Sequence, residues 1–181
     1  PRTGPLRVLY VGSLGQRKGL SYALDAVKSL GELVSFTMIG RLTAPNCQPL
    51  LAALDRHRWI ETLPHQQILE QMRKHDVLLL PSLFEGYALV ISEALSQGLP
   101  VLTTPNSGAM QTIRDGVEGF IVPIRNTHAI VERLLQLASN RDQLVAMRQA
   151  CLSRAAELSW AGYEQRLRVV VGQVFPRVFA P

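Results

Sequence analysis

The chain has 181 residues, 47% of them apolar and 18% charged, enough for one domain with its own core. Nineteen Lys and Arg against fourteen Asp and Glu leave a net charge of +5, but the cations are scattered, which argues against a nucleic-acid stripe. Two distant cysteines, Cys47 and Cys151, argue against a disulfide scaffold, and the longest apolar runs, such as Val77-Leu78-Leu79-Leu80, are too short for a membrane-spanning helix.

The predicted elements alternate. Arg7 to Ser13 reads as a buried strand and Lys18 to Leu30 as a helix with Leu20, Ala23, Leu24, Val27 and Leu30 on one face. Val34 to Gly40 is a second strand, Pro49 to Arg56 a short helix, and Trp59 to Leu63 a weak third strand. Pro64 is expected to open a helix reaching His75, because its missing N–H costs little there. Asp76 to Ser82 is the clearest buried strand. Tyr87 to Gln97 is a helix stopped by Gly98 and Pro100. Val101 to Thr104 is a strand, Ser107 to Arg114 a short helix and Gly119 to Pro123 the last strand. Asn126 can cap a helix to Ser139, and helices over Arg141 to Leu158 and Ala161 to Val174 finish the chain. Continuous apolar strands between helices predict a Rossmann-like, doubly wound parallel α/β sheet of about six strands, covered on both faces. Ligands on such sheets sit beyond the carboxyl ends of the strands.

The loop after the first strand reads Gly12-Ser13-Leu14-Gly15-Gln16-Arg17-Lys18-Gly19. Its glycines permit close approach to a ligand, and Arg17 and Lys18 stand where a helix is expected to begin; a phosphate cradle and a plain turn with two solvated cations both fit. The glycine spacing is not that of the dinucleotide motif, and Lys18 is followed by glycine rather than by the Ser or Thr of a P-loop. After the fourth strand come Glu85, just before a helix, and Glu93 within it, with seven residues between them. Eight helical residues rise about 12 Å, which is too far for two carboxylates acting on one bond but suits two holding opposite ends of one ligand. Each glutamate could equally be an ordinary helix residue. His57, His65, His75 and His128 fall on separate elements, and surface or capping roles are expected for them. Trp59 and Trp160 are expected in the core or at its boundary. No Asp-x-Asp pair or His/Cys cluster offers a metal site.

The ordered set Phe84-Glu85-Gly86, Ser92-Glu93-Ala94-Leu95 and Gly98-Leu99-Pro100-Val101 resembles the signature of retaining family 4 glycosyltransferases of the two-Rossmann (GT-B) architecture. Val11-Gly12 through Lys18-Gly19, Asp76 to Ser82, Ser107-Gly108, Asp115 to Pro123 and Ser159-Trp160 extend the likeness over nearly the whole chain. The resemblance implies that residues 1–181 form a single nucleotide-sugar-binding domain, the C-terminal half of an enzyme whose N-terminal acceptor domain is absent. The start at Pro1 fits such a fragment. It implies transfer of a hexosyl group from a nucleotide-diphosphate sugar with retention, without metal or other cofactor. It assigns Lys18 and a nearby Arg to the diphosphate, Glu93 to the ribose, and Glu85 to the donor sugar near the reacting centre. Gly12, Ser13 and the backbone of Gly86, Tyr87, Ala88, Leu89 and Val90 would meet the phosphates and sugar. Gly40, Arg41 and Leu63 are the candidates for the base. Where the family usually has Arg, this chain has Ser13, and Arg17 is the residue that could replace the missing charge. Alone, the domain is expected to bind donor yet transfer little. A cytoplasmic location is expected, with membrane-surface contact open only through the parent protein and no nucleic acid as partner. The alternatives are an inactive nucleotide-sugar-binding module, a nucleotide-sugar epimerase of similar fold, and, more distantly, a nicotinamide dehydrogenase.

Overall fold

A computed structural model describes residues 3–175, without the side chains of Trp160 and Arg166. Six parallel strands lie in the order β3-β2-β1-β4-β5-β6. They are β1 (Leu6–Val11), β2 (Val34–Ile39), β3 (Arg58–Ile60), β4 (Val77–Leu80), β5 (Val101–Thr103) and β6 (Gly119–Ile121). The helices are α1 (Leu20–Leu30), α2 (Gln48–Arg56), α3 (His65–Lys74), α4 (Leu89–Ser96), α5 (Ala109–Thr112), α6 (Thr127–Ser139), α7 (Arg141–Glu157) and α8 (Trp160–Val174).

Side chains alternate across the central strands, so one sheet feeds two cores. Val8, Tyr10, Val77 and Leu79 join Ala23 and Val27 of α1 and Ile130 and Leu134 of α6. Leu9, Val11, Leu78 and Leu80 join Met72 of α3, Ile91 and Leu95 of α4, and Cys151 of α7. Each fully buried leucine contributes about 1.5–3 kcal/mol of burial free energy. This two-sided burial is why β1 and β4 read as unbroken apolar runs.

The strand order reverses between β1 and β4. The chain leaves β1 toward the face of α1 and leaves β4 toward the face of α4, so the two loops splay apart and open a crevice at the carboxyl edge.

Several boundaries differ from the sequence expectation. The helix expected from Lys18 is a 3-10 turn, Gln16–Lys18, then Gly19 at φ 71°, and only then α1. The helix expected from Tyr87 begins at Leu89. Pro64 stands before α3 and its carbonyl accepts from Gln67 and Ile68, so it is the cap and not the first helical residue. β3 covers Arg58–Ile60, ending before Leu63, because its partner β2 ends at Ile39, opposite Ile60. The short helix expected over Ser107 to Arg114 is α5, Ala109–Thr112, parted by Gly108 at φ 77° from a 3-10 turn, Pro105–Ser107. Asn126 caps α6 as read, accepting from the Ala129 amide at 2.9 Å.

Candidate functional site

The loops after β1 and β4 touch. Gly19 is left-handed, and a Cβ there would sit 1.9 Å from the Pro81 carbonyl oxygen, so only glycine lets the two backbones close. The Leu83 amide donates to the Arg17 carbonyl at 2.9 Å. This brings both cations over the β4 loop. Lys18 Nζ lies 2.9 Å and Arg17 Nη1 2.7 Å from the same Glu85 oxygen, Oε1. The Glu85 and Lys18 side chains are mostly buried, at 11% and 14% exposure, whereas Arg17 is 56% exposed. The Lys18 stem crosses Gly12, where a Cβ would stand 3.2 Å from its Cε. Lys18 therefore reaches the crevice from a tight turn, not from the helix start that its sequence context suggested.

The β4 loop is braced from β5. The Glu85 amide donates to the Asn106 carbonyl at 2.8 Å, the Ala88 amide to Ser107 at 3.1 Å, and Asn106 Nδ2 to Leu83 at 3.0 Å. Gly86 and Tyr87 lie in this braced loop, and Tyr87 is half exposed, its hydroxyl 3.3 Å from Ser92 Oγ. Helix α4 has no side-chain cap at Ala88. Its leading amides, Leu89 and Val90, have no intrahelical acceptor and give this end of the helix partial positive charge.

Glu93 sits farther along α4, and its Oε1 pairs with His65 Nε2 of α3 at 3.1 Å. No direct contact joins Glu93 to Lys18 or Arg17 among the described residues. The base candidates lie at the same sheet edge. Gly40 packs on the loop after β1, since a Cβ there would meet the Gly12 carbonyl at 1.8 Å. The Arg41 carbonyl accepts from the Leu14 amide, and half-buried Leu63 packs on the core under α4.

Two residues of this edge were not read from the sequence. Tyr10 is fully buried on β1, and its hydroxyl donates to the Ser13 carbonyl at 3.0 Å, fixing the loop from below. Burial first, and then the Glu85 charge, push its phenol far above the ordinary range. His65 reaches Glu93 across 28 residues, a separation that no local pattern reveals. Ser82, buried in the loop after β4, has no hydrogen-bond partner for its Oγ among the described residues.

A cleft of about 1130 Å³ lies elsewhere, between α1, α2 and the amino end of β2, lined by Leu24, Lys28, Phe36, Arg56 and His75 among others. An open parallel sheet takes ligands at its carboxyl edge, and the convergent charges are there, so the crevice and not this cleft is the candidate site. Among the described residues no His, Cys, Asp and Glu cluster could hold a metal ion, and no helix is long and apolar enough to cross a membrane.

Comparison with known proteins agrees with this fold. The chain is 30% identical over 155 residues to the amylovoran biosynthesis glycosyltransferase AmsK of Erwinia amylovora, which covers 78% of this chain and 38% of that protein. Its fold superposes on Anabaena HepE in complex with UDP at a TM-score of 0.83, with 17% identity over 94% of this chain and 49% of that one. It also superposes on the C-terminal domain of a group 1 glycosyl transferase, LpcC, from Francisella tularensis, at 0.73 with 19% identity over 84% of this chain and 85% of that one. The chain spans less than half the length of the curated relatives it matches. The family model described as glycosyl transferases group 1 matches residues 1–155. The chain thus belongs to the group 1 glycosyl transferases.

Proposed function

We propose that this chain is the donor-binding domain of a retaining glycosyltransferase and grips a nucleotide-diphosphate sugar in the crevice between β1 and β4. The observation that carries this reading is the convergence of Lys18 and Arg17 on Glu85 beside the uncapped start of α4. Two positive charges and the leading amides of α4 match a diphosphate. The HepE structure holds UDP on a fold of this kind, which supports the same ligand class here. An acceptor domain preceding this chain belongs to the same proposal, because the relatives are more than twice as long. So do a hexosyl group as cargo, a cytoplasmic location and the absence of a metal requirement.

Breaking the bond from the anomeric carbon to the diphosphate leaves negative charge on the departing phosphate. Lys18, Arg17 and the amides near Leu89 face that charge and lower the barrier as it develops. Glu85 then orients the sugar hydroxyls, and Glu93 those of the ribose. The inactive-module reading rests on Ser13. It is weakened by Arg17, whose guanidinium supplies a second cation within 2.7 Å of the Glu85 carboxylate. Lys18→Ala should weaken nucleoside-diphosphate binding about 30- to 100-fold, as loss of a charge-assisted contact does. Calorimetric titration with UDP, GDP and ADP tests this; unchanged affinity rejects the role. Donor hydrolysis by the full-length protein separates the enzyme from the inactive module.

A further inference from the structure

His65 is an exposed residue at the start of α3, and nothing in the signature involves it. Yet it is the side chain that holds Glu93, through Nε2 to Oε1 at 3.1 Å. The helices that carry the two residues are joined. Ile68 and Leu69 of α3 pack on the core that contains Ile91 and Leu95 of α4, and the Arg73 guanidinium donates to Gln97 farther along. The His65 ring is 65% exposed and the Glu93 side chain 31% exposed, so both remain open to a ligand. Leu63, two residues earlier, leads into the same edge.

We infer that His65 is a positioning residue for ribose recognition: it fixes one oxygen of Glu93 so that the other can accept from a ribose hydroxyl. The inference rests on the donor-site reading above. A glutamate on an open helix face has several rotamers, and ordering it during binding costs affinity. A neighbouring donor that orders it beforehand removes part of that cost. The competing view is an ordinary surface ion pair, which contributes little and would not affect which nucleotide binds.

The two views part on sugar discrimination. The 181-residue chain is titrated calorimetrically with whichever of UDP, GDP and ADP binds best, and with its 2′-deoxy counterpart. The protein as it stands should prefer the ribonucleotide by about tenfold, the effect of one hydrogen bond to a charged group. Glu93→Ala should abolish that preference. His65→Ala should shrink it to about twofold by weakening the ribonucleotide alone, and His65→Gln, which keeps a donor, should restore most of it. In the Glu93→Ala background, His65→Ala should change nothing further, since the two act as one unit. A preference that survives His65→Ala but is lost in Glu93→Ala overturns the inference and leaves the donor site standing. A preference insensitive to Glu93, or no binding by any of the three nucleotides, overturns the donor reading and this inference with it.

Discussion

Glu85 holds two cations on a single oxygen atom. In the proposed site that carboxylate competes with the diphosphate for Lys18 and Arg17. Removing its charge should therefore strengthen nucleoside-diphosphate binding and impair transfer. We expect Glu85→Gln to bind the free nucleoside diphosphate about three- to tenfold tighter, roughly 1 kcal/mol after allowance for the solvent around Arg17. The full-length enzyme carrying it should transfer more slowly. Equal or weaker binding in calorimetry would rule out the competition. At this scale the sequence reveals charge and spacing. Lys18, Glu85 and Glu93 stand out because each belongs to an ordered local pattern. Tyr10 and His65 do not: one is a single phenol in an aliphatic strand, and the other meets its partner only through the packing of α3 on α4.

The elements were legible where burial is two-sided, as in β1 and β4, and blurred where backbone geometry sets the boundary. Both helices that flank the crevice, α1 and α4, start later than apolar periodicity suggested, because turns precede them. The turn before α1 depends on Gly19. Gly19→Ala combines a left-handed backbone at φ 71° with a Cβ placed 1.9 Å from a carbonyl oxygen, so the β1 and β4 loops must separate. A loss of more than about 2 kcal/mol in stability is expected, with weakened nucleotide binding as Lys18 moves. Gly116 has a similar backbone, φ 79°, but open space around its Cβ position. Gly116→Ala should cost only about 1 kcal/mol and spare binding. Similar unfolding midpoints in denaturant for the two variants would show that close approach at Gly19 is not what matters.

On the whole molecule, the two ends of the sheet do different work. The carboxyl edge gathers Lys18, Arg17 and Glu85 into one crevice, whereas the amino edge ties its charges across the strands. Asp76 accepts from the Arg7 backbone amide at 2.9 Å and from its guanidinium at 2.7 Å, tying β1 to β4. Next to it His75 is buried; its Nδ1 meets the Gln71 carbonyl at 2.6 Å, and its own carbonyl accepts from Arg148. Burial lowers the His75 pKa below 6.5, and the Gln71 contact offsets this only in part; His57 is shifted the same way by burial. A histidine with a lower pKa folded than unfolded takes up its proton more readily in the unfolded chain. Stability is therefore intact above pH 6.5 and falls as the pH drops from there toward the folded-state pKa. The melting temperature should decrease by a few degrees between about pH 7 and 5.5, a range above most carboxylate titration. His75→Asn keeps a donor for the Gln71 carbonyl but cannot titrate. Its melting temperature should be lower at neutral pH and flatter with acid, and an acid slope equal to that of the unaltered chain would show that folding does not lower the His75 pKa.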